Sequence, residues 1–325
     1  MTVCILGAGA FGTALAIALS ETNDIRLWGR NAAEMAKVEA TRKNSKLPGP
    51  VLGARIKITS DAQAAIQDAD FILSAVPLQS THTTLKSFVG YFEGRPLIGC
   101  SKGVDLTTGQ GGYSILKASY PSGPIGLLTG PSFAADIARG LPTALTLASE
   151  DGRAVSAWQA QLSNDTLRLY VSHDPIGAEL GAALKNVIAI AAGFCDGFGY
   201  GDNTKSALIT RGINELSKLG ACFGANVETF FGLAGIGDLI VTCSSIHSRN
   251  RKLGEMIGRG GDLKSVLGMS HMVAEGVKTA YSIKKITQKF EIEMPICEAV
   301  FKVLYENSDP EKEVELLMTR NLKSE

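Results

Sequence analysis

Six residues near the N-terminus narrow the fold more than any composition figure does: Gly7-Ala8-Gly9-Ala10-Phe11-Gly12. This Gly-x-Gly-x-x-Gly run follows the apolar, β-branched stretch Thr2 to Leu6 and precedes a run of small helix formers, Thr13-Ala14-Leu15-Ala16-Ile17-Ala18. Strand, glycine turn and helix in that order open a βαβ unit. Gly7 permits the tight turn, Gly9 removes the Cβ that would block a pyrophosphate, and Gly12 lets the helix pack on the strand with its N-terminus toward the phosphates. A glycine-rich turn without a ligand is the alternative, and the flanking order weighs against it.

Further apolar runs continue the pattern: Ile25 to Trp28, Phe71 to Val76 closed by Pro77, Pro96 to Cys100, Ile125 to Leu128 and Thr143 to Leu147. Strands apolar on both faces fit a parallel sheet covered by helices. From about Pro175 the apolar spacing turns helical. The expected architecture is therefore α/β, with a Rossmann-type dinucleotide-binding domain over residues 1–175 and an all-helical substrate-binding, catalytic domain over 176–325. Leu180 to Phe194 is too short for a membrane span and carries Lys185-Asn186 in its middle, so a buried core helix is expected. The charged tail from Glu311 reads as an exposed terminal helix.

At 325 residues, 45% hydrophobic and 20% charged, the chain has the length of about two domains. Its 32 Lys and Arg balance 32 Asp and Glu, which excludes a general attraction to nucleic acid or anionic membrane and makes any basic site local. The first residues carry no basic n-region and run into glycines, unlike a signal peptide. Six cysteines without C-x-x-C pairs and four histidines without H-E-x-x-H spacing suggest reduced thiols, a cytoplasmic setting and no metal. Glycine is enriched, 36 of 325 residues, much of it where backbone can approach a ligand closely.

Chemistry-bearing residues stand out against this frame. The second strand ends Leu27-Trp28-Gly29-Arg30-Asn31, about 20 residues past the glycines, where an NAD enzyme keeps an acid for the ribose 2′-hydroxyl. Arg30 instead offers a guanidinium for a 2′-phosphate, which favours NADP over NAD; a solvated arginine after a strand is the alternative. Around Lys185, Ala178, Gly181, Ala182, Ala189 and Ala192 share its helix face. An ammonium on so shallow and apolar a trough is expected to have its pKa lowered by burial, toward the range of a general acid/base. A structural lysine snorkelling outward has the same spacing.

Asn186 can hydrogen-bond an oxygen. Asp238, at the end of Gly232-Leu233-Ala234-Gly235-Ile236-Gly237, can orient Lys185, bind a hydroxyl or simply cap a helix. Ser248-Arg249-Asn250-Arg251 before a helical run suggests a phosphate cradle, with a solvated basic turn as the alternative. Lys102 and the loop Thr129-Gly130-Pro131-Ser132-Phe133-Ala134 follow strands, at the sheet edge where open α/β folds bind ligands.

In order along the chain, GAGAFGTALA, LWGRN, SKG, TGPSFA, ELGAALKNVIAIAAGFCDG, ITRG, AGIGDLIVTC, SRNR and VAEG resemble the bacterial-type NAD(P)-dependent sn-glycerol-3-phosphate dehydrogenases over nearly the full length. The resemblance implies reversible reduction of dihydroxyacetone phosphate to sn-glycerol 3-phosphate, supplying phospholipid synthesis, with Lys185 as the proton acceptor. It also implies substrate contacts from Lys102, Gly130, Ser132, Asp238, Ser248, Arg249 and Asn250. Cofactor contacts are implied for Ala10, Phe11, Arg30, Lys102, Ala134, Arg249, Val273 and Glu275. Ala10 stands where serine is frequent, and Ser132 where threonine is. No nucleic acid or membrane partner is expected, and the oligomeric state, a homodimer included, is left open. Two other readings remain: a hydroxyacid or ketopantoate-type NADP reductase, and a non-enzymatic NADP sensor on the same fold.

Overall fold

The computed structural model describes residues 1–105, 110–269 and 275–320. The chain divides into two units, Met1–Glu179 and Leu180–Glu325.

The first unit alternates strands β1 (Thr2–Leu6), β2 (Asp24–Trp28), β3 (Ile56–Thr59), β4 (Phe71–Ser74), β5 (Leu97–Gly99), β6 (Ile125–Thr129), β7 (Thr143–Ala148) and β8 (Leu167–Ser172) with helices. These helices are α1 (Ala10–Leu19), α2 (Ala32–Thr41), α3 (Ala62–Ile66), α4 (Leu78–Phe88), α5 (Gly112–Ser119), α6 (Ala134–Ala138) and α7 (Gly152–Leu162). The eight strands form one sheet in the order β3-β2-β1-β4-β5-β6-β7-β8. Neighbours run parallel except β6 and β7, which pair antiparallel with Leu128 opposite Leu147. Residues Val3 to Leu6 and Phe71 to Ser74 are buried on both faces, which is why their runs read as continuous rather than alternating. One core under the sheet joins Val3, Ile5, Leu15, Ile25, Leu27, Leu73 and Ile98 with Leu145, Leu147, Val155 and Trp158.

Two strands, β3 and β8, lie outside the apolar runs picked out in the sequence. Both are edge strands, and Leu167–Ser172 alternates buried and exposed over its first four residues, so neither carries the continuous apolar signature of a central strand. The antiparallel β7 is likewise not what an all-parallel sheet predicts. Only the five-residue α6 lies between β6 and β7.

Helix α8 (Pro175–Gly197) is the long apolar helix of the sequence, and the division between the units falls within it. It is the one helix among the described residues long and apolar enough to cross a membrane, and that stretch is wholly buried in the folded chain. The second unit continues with α9 (Asp202–Cys222), α10 (Asp238–Ser244), α11 (Arg249–Gly258), α12 (Leu263–Met269), α13 (Glu275–Phe290), α14 (Pro295–Tyr305) and α15 (Pro310–Met318). Helices α8 and α11 meet through glycines four apart on each. A Cβ on Gly193 would lie 2.0 Å from the Arg251 carbonyl oxygen, and one on Gly254 would lie 2.0 Å from that of Ile190. Gly197 and Gly258 repeat the approach one turn on, at 2.6 Å from the Glu255 oxygen and 2.9 Å from the Phe194 oxygen. Backbone touches backbone here.

Candidate active site

In the first unit the strand order reverses between β1 and β4, the switch point where open α/β sheets bind ligands at their carboxyl ends. Gly7 follows β1 with φ +118°, and a Cβ there would lie 2.7 Å from the Ala75 carbonyl carbon just beyond β4. Gly12 is equally confined, 2.0 Å from the Gly7 oxygen. Gly9 differs: its backbone is extended (φ −78°, ψ −177°) and a Cβ would meet nothing within 4 Å. Neither strain nor packing within the chain requires glycine at that position. The open space at its Cβ leaves room for a ligand's close approach, so the residues fit a dinucleotide pyrophosphate at the N-terminus of α1.

Ala10 and Phe11 open α1 and, with Ala134 at the start of α6, pack around Ala14, Ala18, Leu47 and Ile137, so three of the expected cofactor positions share one neighbourhood. Arg30 is exposed two residues past β2, beside Asn31, whose side chain caps α2 by accepting from Glu34 N–H at 3.0 Å. Lys102, Gly130 and Ser132 come together: the ammonium donates to the Gly130 carbonyl at 2.8 Å and to Ser132 Oγ at 3.1 Å. Gly130 needs its glycine, with φ +131° and Leu145 Cα 3.3 Å from a built Cβ.

In the second unit Lys185 is 6% exposed and Asp238 1%, and the ammonium donates directly to the Asp238 carboxylate. The small residues on the Lys185 face explain how they meet. One turn before Lys185, a Cβ on Gly181 would lie 2.5 Å from the Ala234 oxygen, so the π-helical turn Leu233–Gly237 sits flush on α8 and delivers Asp238 to the lysine. Asp238 is the first residue of α10, after Gly237 at the cap position, so its side chain is an ion-pair partner rather than a cap. Thr242, one turn along α10, donates to the Asp238 carbonyl at 2.5 Å and lies 3.4 Å from its carboxylate.

Asn186 is 5% exposed and accepts a 2.9 Å bond from Asn250 Nδ2, and Asn250 Oδ1 accepts from Gly276 N–H at 3.0 Å. Ser248 caps α11, accepting from Arg251 N–H at 3.3 Å. Arg249 is exposed at the first position of that helix. The other arginine of the motif turns inward: Arg251 pairs with Asp196 on α8 and Glu255, and donates to the Ser245 carbonyl at 3.0 Å. Arg251 therefore holds the segment before α11 instead of joining an exposed cradle, a correction to the four-residue cluster read from sequence. Glu275 opens α13, half-buried, and Val273 lies outside the described residues.

The sequence reading passed over Thr242 and Asp196. Thr242 had a signal in its four-residue spacing from Asp238; Asp196 had none, because its partners come from α9 and α11.

Comparison with known proteins identifies the family of this two-unit chain. The family model for the NAD-dependent glycerol-3-phosphate dehydrogenase N-terminus matches residues 2–155, and the model for the C-terminus matches 174–315. A glycerol-3-phosphate dehydrogenase (NAD(P)+) of Aromatoleum aromaticum is 42% identical over 328 residues, covering 100% of both chains. One from Paracoccus denitrificans is 42% identical over 325 residues, also covering 100% of both. The crystal structure of glycerol-3-phosphate dehydrogenase from Coxiella burnetii superposes with a TM-score of 0.92 at 32% identity, over 98% of this chain and 99% of that one. A ketopantoate reductase from Ralstonia eutropha shares the fold alone, at TM-score 0.58 and 14% identity. The fold is that of a two-unit nucleotide-dependent dehydrogenase. This chain belongs to the NAD-dependent glycerol-3-phosphate dehydrogenase family.

Proposed function

We propose that this chain interconverts dihydroxyacetone phosphate and sn-glycerol 3-phosphate with NADP(H), or NAD(H), as redox partner. The observation that carries the reading is the buried Lys185–Asp238 pair, held where an amine can exchange a proton with a substrate oxygen. Gly7, Gly9 and Gly12, with Ala10, Phe11 and Ala134, hold the dinucleotide, and Arg30 takes the 2′-phosphate. The nicotinamide supplies or accepts the hydride. Lys185 gives its proton to the forming alkoxide during reduction and its charge stabilises that oxygen in advance; during oxidation the neutral amine accepts the hydroxyl proton. Asp238 orients the ammonium, and Asn186 holds the substrate oxygens while Asn250 fixes the orientation of its amide. Lys102, Gly130, Ser132, Ser248 and Arg249 anchor the phosphorylated substrate, whose remote binding energy positions the reacting carbon.

Burial pushes the Cys4, Cys100 and Cys243 thiols up to about 12, so these thiols stay protonated and take no part in the chemistry. The test is the absorbance of the reduced nicotinamide with dihydroxyacetone phosphate, unphosphorylated dihydroxyacetone and 2-ketoacids in parallel, each with NADPH and NADH. Turnover of the phosphorylated ketone alone supports the reading; turnover of ketoacids instead overturns it.

A further inference from the structure

The loop after α2 contains a buried amide with no part in the reading above. Asn44 is 2% exposed, and an amide so deep in a loop is tolerated only when its polar atoms are bonded. Its Nδ2 donates to the Ala8 carbonyl at 3.1 Å and to Thr13 Oγ1 at 2.8 Å, and its Oδ1 accepts from Lys46 N–H at 3.0 Å. Turning the amide over would set oxygen against the Ala8 carbonyl, so the donor's position is settled by its partners. Three residues on, Leu47 is seated among Ala14, Ala18 and Ile137, which ties the same loop to the body of α1. A side chain 36 residues away in sequence thus grips the second residue of the glycine run.

We propose that Asn44 is a positioning residue for dinucleotide binding, which it serves by fixing the Ala8–Gly9 peptide. The inference rests on the dinucleotide reading of the glycine loop given above. No peptide bond among the described residues is cis, and in a trans peptide the C=O and N–H point in opposite directions. With the Ala8 carbonyl held toward Asn44, the Gly9 N–H is aimed away from it, at the one glycine of the three with open space at its Cβ. The loop thereby enters binding with that donor already oriented, and ordering it costs the complex less. Because the contact lies at the pyrophosphate loop and not beside Arg30, its loss weakens NADPH, NADH and ADP-ribose alike.

The experiment titrates the full-length wild type, Asn44→Asp, Asn44→Ser and Thr13→Val with NADPH, NADH and ADP-ribose by calorimetry, beside thermal melts and steady-state kinetics with dihydroxyacetone phosphate. Asn44→Asp turns an acceptor on the Ala8 carbonyl, and Asn44→Ser removes the donor without burying a charge and carries the test where the aspartate variant does not fold. Thr13→Val removes the other partner and leaves Ala8 held. Both Asn44 variants are expected to raise Kd for all three probes by about tenfold or more, to a common factor, the scale of one buried hydrogen bond lost. The KM for dihydroxyacetone phosphate and kcat at saturating cofactor stay within about twofold of wild type, and Thr13→Val lowers the melting temperature only. Wild-type affinity in a folded Asn44 variant, or equal weakening by Thr13→Val, overturns the proposal. Failure of the wild type to bind any of the three probes would instead sink the dinucleotide reading.

Discussion

Lys185 is the residue at which sequence and structure meet most directly. Its small neighbours were legible as a trough, and orienting Lys185 was one of the roles the sequence left open for Asp238; that the turn bearing Asp238 fills the trough was not legible, because that contact joins residues 53 apart and leaves no local period. Lys185→Met is expected to lower turnover by about 10²- to 10⁴-fold with cofactor affinity nearly unchanged, measured by steady-state kinetics and cofactor titration. The substitution also strands a buried carboxylate, so stability falls as well. Adding Asp238→Asn should recover the melting temperature and leave turnover low, which separates the chemical role from the structural one. Arg30, exposed and next to the α2 cap, carries the reading of cofactor choice made from its place after the strand. Arg30→Asp replaces attraction for a 2′-phosphate by repulsion, so the ratio of kcat/KM for NADPH over NADH should fall, less at high salt than at low because the site is solvated. A ratio unmoved by the mutation would assign cofactor choice to other residues.

Among elements, two helices are capped from a distance, and no local motif announces it. Gly111, the cap position of α5, has no side chain to offer; the Glu179 carboxylate takes that place, accepting from Tyr113 N–H at 2.7 Å and Ser114 N–H at 3.2 Å. A Cβ on Gly111 would lie 2.3 Å from the Glu179 carboxyl carbon, so glycine and glutamate form a pair that a window of neighbouring residues cannot reveal. Glu215 on α9 does the same for α14, accepting from Ile296 N–H at 2.7 Å and Cys297 N–H at 3.1 Å. Burial pushes its carboxyl up to about 7, against the lowering effect of those two bonds. The folded chain therefore holds a proton there that the unfolded chain releases near the ordinary carboxylate value of 4.5. This contribution to stability is complete below the unfolded value and is lost as pH rises through about 7. Urea midpoints at pH 5 to 8 should show the wild type losing stability relative to Glu215→Gln by roughly 1–3 kcal/mol across that interval. Parallel profiles would remove Glu215 as the cause. The central strands, by contrast, were legible because burial on both faces leaves an unbroken apolar run.

For the whole molecule, equal numbers of acidic and basic residues leave no general field to gather an anionic substrate, so its attraction is local. In the reading proposed above the leading contributor is Arg249, exposed at the start of α11. Arg249→Ala should raise KM for dihydroxyacetone phosphate by about 10- to 100-fold, the span of a charge-assisted hydrogen bond. It should also flatten the dependence of kcat/KM on ionic strength, while the unphosphorylated ketone is hardly affected. A salt slope as steep in the variant as in the wild type would place the attraction elsewhere. Two units could be anticipated from the change of apolar period near Pro175, since strands give way to helices there. That α8 runs unbroken across the division had no counterpart in composition.

The paired glycines of α8 and α11 set a limit on how this protein can be improved. Replacing a mid-helix glycine by alanine is a standard route to thermostability, worth up to about 1 kcal/mol in propensity. At Gly193 and Gly254 the added methyl would meet a carbonyl oxygen at 2.0 Å, and α11 would have to move off α8, carrying with it the Asn250 amide bonded to Asn186. A library that scores helices one at a time will rank these substitutions as gains. Selection for activity should discard them, so the interface drifts least where each residue, judged alone, seems most replaceable.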